Sequence, residues 1–171
     1  MTWYFHKLTT FSLVYAASGD ATASMIAGVA SVIPDTLEMA FFGLIPHRTI
    51  THWPYIYMVL IIFFFGLFYS SGQVQFYLAL FVSIGCLLHV AEDALSKGGI
   101  PFCGPFGEKS GCDFYKIHSF RETLTALAIV VPCLSVAYLL GRTETSYLSA
   151  EVHRAVVIFS DLSRFVMDKV I

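Results

Sequence analysis

The stretch that decides the fold runs from His52 to Asp93 and reads "HWPYIYMVLIIFFFGLFYSSGQVQFYLALFVSIGCLLHVAED". It holds two apolar runs, each close to the roughly 20 residues that a helix needs to cross a bilayer. The runs are joined by "SSGQ" (Ser70–Gln73), which is too short for anything but a tight hairpin. The two helices are therefore predicted to run antiparallel, which places His52 beside the end of the second helix.

The composition of the whole chain is that of an integral membrane protein. Of its 171 residues, 57% are hydrophobic and 13% are charged, whereas a soluble domain carries roughly 25% charged residues. The length favours a single domain. The formal net charge is −2, and the sequence contains no basic patch with interleaved aromatic residues, so we predict no nucleic-acid partner.

Two further segments approach the spanning length. Phe11–Ile33 is rich in small residues, which allow close helix packing, and Thr123–Gly141 contains Pro132, a predicted kink. We expect the N-terminal segment to be retained rather than cleaved as a signal peptide. Together with Trp53–Ser70, which we expect to face lipid, and Val74–Leu95, they predict an all-α polytopic membrane protein with about four transmembrane helices.

The last thirty residues read as a separate tail. Apolar side chains recur at helical spacing from Val152 to Val166, which predicts an amphipathic helix on the membrane surface. Packing of the same helix on the rest of the protein is an equally good interpretation. We therefore divide the chain into a transmembrane domain, residues 1–141, and a C-terminal amphipathic tail, residues 142–171.

Four spans place both termini on one side of the membrane and both long connections on the other. These connections are Pro34–His52 and Ser96–Glu122. The ten Lys and Arg residues divide evenly between the two sides, so the positive-inside rule does not give the orientation. Cys103 and Cys112 share the second connection and would be able to form a disulfide in an oxidising compartment.

Ionisable residues at the ends of these spans are the candidate functional residues, because such residues are costly in a membrane and usually functional. His89 and Asp93 are four residues apart and share one face of a helix, whereas Glu92 lies on an adjacent face. The hairpin brings His47 and His52 towards this pair.

Two acids follow the first span on the same side. Pro34 is a favourable first residue for a short helix, with Asp35 and Glu38 in its first turn. Imidazole and carboxylate donors together suit zinc, with manganese or iron as alternatives, and a carboxylate-rich site accommodates one or two ions. The predicted ligands of a divalent metal are Asp35, His47, His52, His89 and Asp93.

Each of these residues also has a simpler interpretation. A histidine at a helix end is commonly an interfacial polar group, which is how we read His6, His118 and His153. A His–Asp pair at this spacing is as often a buried hydrogen bond as a ligand pair. The metal site therefore depends on convergence of the three segments.

Four residues are catalytic candidates, and one of them, Asp93, is also a predicted metal ligand. The Arg48 fork suits a phosphate or a carboxylate, belonging either to the substrate or to an acid beside the metal. Glu38, Glu122 or Asp93 would act as the general base. For Arg48 and Glu122 taken alone, helix capping or contact with lipid headgroups is the competing interpretation.

Three motifs in this order resemble the YdjM family of predicted membrane-bound, metal-dependent hydrolases: "IPDTLE", "HRTITHW" and "HVAEDALSKGGIPFCGPF". The resemblance covers about Phe5 to Glu122. It implies a helical, multi-pass protein of the bacterial inner membrane that holds a divalent metal. The matching residues are Asp35 in the PD element, His47, Arg48, Thr51 and His52 in HR-x-x-TH, His89 and Asp93 in H-x-x-x-D, and, on weaker motifs, His6 and Glu122.

The chain departs from the family pattern at two positions. Leu37 stands where many members have a second acid, with Glu38 one residue later, and Trp53 replaces the usual serine. The first departure bears on the number of ions that the site holds. The second departure, at Trp53, affects only the start of the following helix or the entrance for a substrate.

These observations predict an integral-membrane metal-dependent hydrolase that acts on a lipid or lipid-linked ester or phosphoester, with an amide as a second option. A non-catalytic subunit with a structural His/Asp cluster is the alternative, and a transporter is a third. Membrane lipids are the predicted partners, together with other membrane proteins or a second copy of the chain.

Overall fold

The computed structural model describes residues 1–41 and 47–142, and this part of the chain is almost entirely helical. A short antiparallel hairpin of two strands interrupts the connection before the last helix. The elements are α1 (Trp3–Ser18), α2 (Ala21–Ala30), α3 (Ile33–Ala40), a 3₁₀ turn (Ile50–His52), α4 (Pro54–Ser71), α5 (Val74–Ala94), β1 (Ile100–Pro101), β2 (Lys109–Ser110) and α6 (Phe120–Leu139).

Three helices of the described part, α4, α5 and α6, are long and apolar enough to cross a membrane. The hairpin of α4 and α5 is confirmed, with Gly72 in the left-handed conformation at its tip, at a φ of 65°. Within α4, which the structure describes completely, Tyr57 is the one buried residue. Ile62, Phe63 and Phe65 are exposed, as expected for a helix that meets lipid.

The first predicted segment is not one continuous helix, which corrects the prediction for Phe11–Ile33. Gly19 adopts a left-handed conformation with a φ of 71°, and its N–H donates to the Tyr15 carbonyl at 2.9 Å. The Asp20 side chain then accepts the Ala23 N–H at 2.9 Å and caps α2. Glycine and aspartate at these two positions end one helix and start the next.

This break turns α1 and α2 into a second helical hairpin and reverses the predicted position of the N-terminus. The Met1 ammonium donates to the Asp93 carboxylate at the end of α5, at 2.7 Å. At the opposite end of the bundle, Arg142 donates to the Ala17 carbonyl at 3.1 Å. The N-terminal residues therefore lie on the same side as the long connections, and the expectation that they lie on the other side was wrong.

Small residues bring α2 and α5 into backbone contact, as predicted for the first segment. Ala23, Ala27 and Ala30 are buried, and a Cβ atom on Gly85 would lie 2.2 Å from the Ala27 carbonyl oxygen. The Tyr77 hydroxyl also donates to the free carboxylate oxygen of Asp20 at 2.6 Å. The packing fixes where α2 ends, and therefore where α3 begins.

The connection between α5 and α6 folds back over the end of α5. Ser96 and Tyr115 pair as a parallel bridge, and the Tyr115 hydroxyl donates to the Glu92 carbonyl at 2.7 Å. Cys103 and Cys112 are exposed free thiols. The amphipathic helix predicted for the tail falls on residues 143–171, which lie outside the described residues.

Candidate metal centre

Three elements meet at one end of the bundle and supply four donors. Asp35 comes from the first turn of α3, which Pro34 begins, and His52 closes the 3₁₀ turn. His89 and Asp93 stand one turn apart near the end of α5. His52, His89 and Asp93 are buried, and the Asp35 side chain is 18% exposed.

The four donor atoms face one point. The Nε2 atoms of His52 and His89 are 3.2 Å apart, and they lie 3.3 and 3.5 Å from the Asp35 Oδ1 atom. The same nitrogens lie 3.5 and 3.8 Å from the Asp93 Oδ2 atom. Donors bound at about 2.0–2.2 Å to a tetrahedral ion would be roughly 3.3–3.6 Å apart. Asp35, His52, His89 and Asp93 therefore form a group that can hold a metal ion.

Two buried atoms of this group have no hydrogen-bond partner among the described residues, the Asp35 Oδ1 atom and the His89 Nδ1 atom. Buried polar groups are normally satisfied. The Asp35 Oδ1 atom faces the shared centre, so a bound cation would satisfy it. The other oxygen of Asp35 accepts the Trp3 indole N–H at 2.8 Å, which fixes the orientation of the carboxylate.

Glu38 orients His52 from behind. Its Oε1 atom lies 2.9 Å from the His52 Nδ1 atom and also accepts the Thr51 hydroxyl. This contact keeps the Nε2 atom turned towards the centre, as carboxylates do behind metal-bound histidines. The structure therefore gives Glu38 a positioning role towards His52.

His52 and Glu38 lie outside the membrane-spanning helices, and their charged surroundings shift the pKa of each. Burial lowers the pKa of His52, but the neighbouring carboxylates of Asp35, Asp93 and Glu38 outweigh it and raise this pKa to about 10. Burial raises the pKa of Glu38, but hydrogen bonds from His52, Thr51 and His47 lower it to about 2. An ion that binds the His52 Nε2 atom must therefore displace a proton.

Arg48 contacts the same Asp93 oxygen that faces the centre. It is 5% exposed, and its guanidinium donates to Asp93 Oδ2 at 2.8 Å and to the Ser96 hydroxyl at 3.0 Å. The backbone of Arg48 has a positive φ of 55°, a strained conformation that persists where the surroundings fix it. Arg48 therefore orients a candidate ligand.

The comparison with known protein families agrees with the resemblance. A family model described as YdjM inner membrane protein matches residues 1–163. The chain belongs to the YdjM family. The match extends beyond the motifs into the tail, and the family description places its members in the inner membrane. No curated protein and no solved structure matches the chain.

The residues of the YdjM motifs differ in how deeply they are buried at this centre. The H-x-x-x-D motif supplies His89 and Asp93, and the last histidine of HR-x-x-TH supplies His52. The first histidine of HR-x-x-TH, His47, lies at the outer edge with its side chain 68% exposed. His47 belongs to a second group with Asp35 and Glu38, whose donor atoms lie within 4.8 Å of one another.

Glu122 does not join either group of donors. Its two carboxylate oxygens accept the backbone N–H groups of Thr2, at 2.5 Å, and His118, at 2.6 Å. Ser119 caps the same helix, and Glu122 lies in its first turn. In the structure Glu122 therefore ties the N-terminal segment to the start of α6, which agrees with the simpler interpretation of this residue.

Sequence reasoning missed a buried pair behind His89 in this YdjM chain. The His6 Nδ1 atom lies 2.5 Å from a carboxylate oxygen of Glu92, and the His6 ring packs on the His89 ring at a centroid distance of 3.9 Å. Thr9 donates to the other Glu92 oxygen at 2.5 Å. The signal was the polar face of α1, where His6, Thr9 and Thr10 recur at helical spacing.

A Gly98→Ala substitution is expected to weaken metal binding without touching a ligand. A Cβ atom at this position would lie 2.3 Å from the guanidinium of Arg48, so the guanidinium would have to shift, which weakens its contact with Asp93. Loss of a residue that orients a metal ligand costs about 10- to 100-fold in affinity. Titration of the purified protein with Zn²⁺ would measure the effect.

Gly104→Ala is the matched control for this substitution, because nothing lies within 4 Å of its Cβ position. Equal zinc affinities of the two variants would contradict the role of Arg48.

Proposed function

We propose that this YdjM-family protein is a membrane metallohydrolase that cleaves a lipid or lipid-linked phosphoester at the membrane surface. The observation that carries the proposal is the convergence of four donors, two imidazoles and two carboxylates, at the C-terminal end of α5. Zinc is the ion that best fits this donor set, and manganese or iron would also accept it.

The charge of the surroundings supports a divalent cation. Among the described residues, four buried carboxylates lie at this end of the bundle, those of Glu38, Glu92, Asp93 and Glu122. The Arg48 guanidinium and the Met1 ammonium contact them, and so does His52, whose raised pKa keeps it protonated until an ion displaces that proton. An ion with two positive charges would balance this excess, because buried charges need a partner.

The chemistry of such an ion fits hydrolysis. A bound divalent metal lowers the pKa of a coordinated water and polarises a phosphoryl or carbonyl oxygen. Arg48 also lines a cavity of about 300 Å³ together with Lys97 and Lys116. We assign this cavity to the anionic part of the substrate, because arginine and lysine, which are among its lining residues, bind phosphate through charge-assisted hydrogen bonds.

The proton of the attacking water would leave through the outer edge of the centre. The oxygens of Asp93 and Glu122 are occupied by ammonium, guanidinium or backbone N–H groups, whereas the Glu38 Oε2 atom meets the exposed His47 ring at 2.6 Å. Of the three acids considered as general base, Glu38 is therefore the one that we assign to this role. His47 would then pass the proton to solvent.

Aromatic residues beside the centre support a lipid substrate. Trp3 is 41% exposed and donates to the candidate ligand Asp35. Trp53 begins α4 directly after His52 and donates to the Phe102 carbonyl at 3.3 Å. Tryptophan is enriched at the level of lipid headgroups, so Trp3 and Trp53 indicate that the centre lies at this level. A lipid in the membrane would then have its headgroup near the metal.

The proposal is tested with the full chain in liposomes. The zinc-loaded protein is incubated with phospholipids that carry a labelled headgroup, and release of the label is followed. We expect release that is abolished by a chelator and by His89→Ala, and retained by His118→Ala, which replaces an exposed histidine outside the centre. Equal release by the wild type and His89→Ala would overturn the assignment.

The competing function, a structural site in a membrane assembly, rests on one specific observation. Four protein donors fill a tetrahedral ion, as in structural zinc sites, whereas catalytic sites keep a position for water. On that interpretation the zinc-loaded protein would release no label from lipid esters, phosphoesters or amides, and removal of the ion would only lower its stability.

A further inference from the structure

The outer group of donors differs from the buried group in its access to solvent. Asp35, Glu38 and His47 supply three donor atoms within 4.8 Å of one another. The His47 side chain is 68% exposed and the Glu38 side chain is 7% exposed. The outer group is therefore open to solvent on the side of His47.

The buried group and the outer group supply different numbers of donors. The buried group has four protein donors and fills a tetrahedron, whereas the outer group has three, the number typical of catalytic zinc sites with an open position. Asp35 belongs to both groups, and a shared carboxylate is the usual way to hold two ions roughly 3.5–4 Å apart.

We propose that Asp35, Glu38 and His47 bind a second divalent ion, and that this open position, rather than the buried one, meets the substrate. The inference rests on the proposed function for its catalytic part. It changes the assignment of Glu38 and His47, which would hold an ion beside the substrate instead of accepting the proton themselves. The buried ion would then fix Asp35 and the ends of α3 and α5.

The contacts of Glu38 are compatible with both of its roles. Its Oε1 atom accepts the Arg48 backbone N–H at 2.9 Å and contacts His52. Its Oε2 atom contacts the His47 Nδ1 atom at 2.6 Å, a hydrogen bond that an ion bound to both atoms would replace. One oxygen thus orients the inner ligand while the other faces the outer position.

The backbone at His47 is fixed independently of its side chain. The Lys109 ammonium donates to the His47 carbonyl oxygen at 2.7 Å, and the next residue, Arg48, is buried. The imidazole is therefore presented at a set place while remaining exposed. Replacement of His47 by alanine removes a donor and leaves these backbone contacts in place, so this variant is expected to fold.

The test is the number of ions per chain. The full-length protein in detergent is stripped with a chelator, equilibrated with Zn²⁺ and analysed for zinc, and a parallel sample with Mn²⁺ is examined by electron paramagnetic resonance. We expect two ions and a spin-coupled manganese pair for the wild type. His47→Ala should retain one ion with an uncoupled signal, and His118→Ala, the matched exposed histidine, should retain two.

The outcomes separate this inference from the proposed function. One ion in both the wild type and His47→Ala would overturn the second site and leave the buried site and hydrolysis standing. Two ions in His47→Ala together with lost hydrolysis would also overturn it, because His47 would then transfer the proton and not bind an ion. An ion count unchanged in His89→Ala would instead remove the buried site on which the proposed function rests.

Discussion

His89→Ala is expected to abolish tight metal binding at the buried centre. The substitution removes one of the four donors of that centre, so water would have to supply the fourth ligand. The loss should exceed the roughly 10- to 100-fold that removal of a merely orienting residue costs. Because an ion that binds the folded state stabilises it, added Zn²⁺ should raise the melting temperature of the wild type by more than that of His89→Ala.

Elemental analysis of detergent-purified protein and thermal unfolding with and without Zn²⁺ measure this effect. His52→Ala is expected to behave in the same way, since its Nε2 atom lies 3.2 Å from that of His89. His118→Ala serves as the control, because His118 is exposed and lies in neither donor group. Wild-type zinc content in both His89→Ala and His52→Ala would eliminate the candidate centre.

Gly85→Val is expected to cause the largest loss of stability. A Cβ atom on Gly85 would lie 2.2 Å from the Ala27 carbonyl oxygen, a contact with backbone that no side-chain rotation relieves. Overpacking of a core typically costs about 1–3 kcal/mol, and we expect the upper end of that range because α2 and α5 must separate. Displacement of α2 also moves α3, so the metal affinity should fall together with the melting temperature.

Gly66→Val is the matched substitution for this experiment. Gly66 lies in α4, and nothing lies within 4 Å of its Cβ position. Its melting temperature in detergent should stay close to that of the wild type, and its zinc affinity should be unchanged. If Gly85→Val were equally stable, the close contact of α2 and α5 would not exist in the folded protein.

The helical hairpin and the candidate ligands were predictable because each depends on local sequence. Two apolar runs and a four-residue connection leave no other arrangement for α4 and α5. The i, i+4 spacing of His89 and Asp93 sets their common face once the helix is accepted. The antiparallel hairpin then brings His52 to the same end without further information.

The path of the first segment was not predictable from hydropathy. Gly19 and Asp20 are small or polar residues that a long apolar run tolerates, and only the left-handed conformation of Gly19 ends α1. Its consequence is global, because the reversed N-terminal segment brings His6 to Glu92. The polar face of α1 marks His6 as a residue that needs a partner, but nothing in the sequence identifies Glu92, 86 positions away, as that partner.

The sequence by itself determined the class of this protein, a helical membrane chain with imidazoles and carboxylates gathered at the ends of its helices, because hydropathy and helical spacing are local properties. Only the tertiary structure decided which donors share a point, that Arg48 holds Asp93, and that Glu122 and His47 lie outside the buried group. Those outcomes depend on how closely α2 approaches α5 and where α3 consequently begins. Such distances arise from packing between distant segments, which no single stretch of sequence encodes.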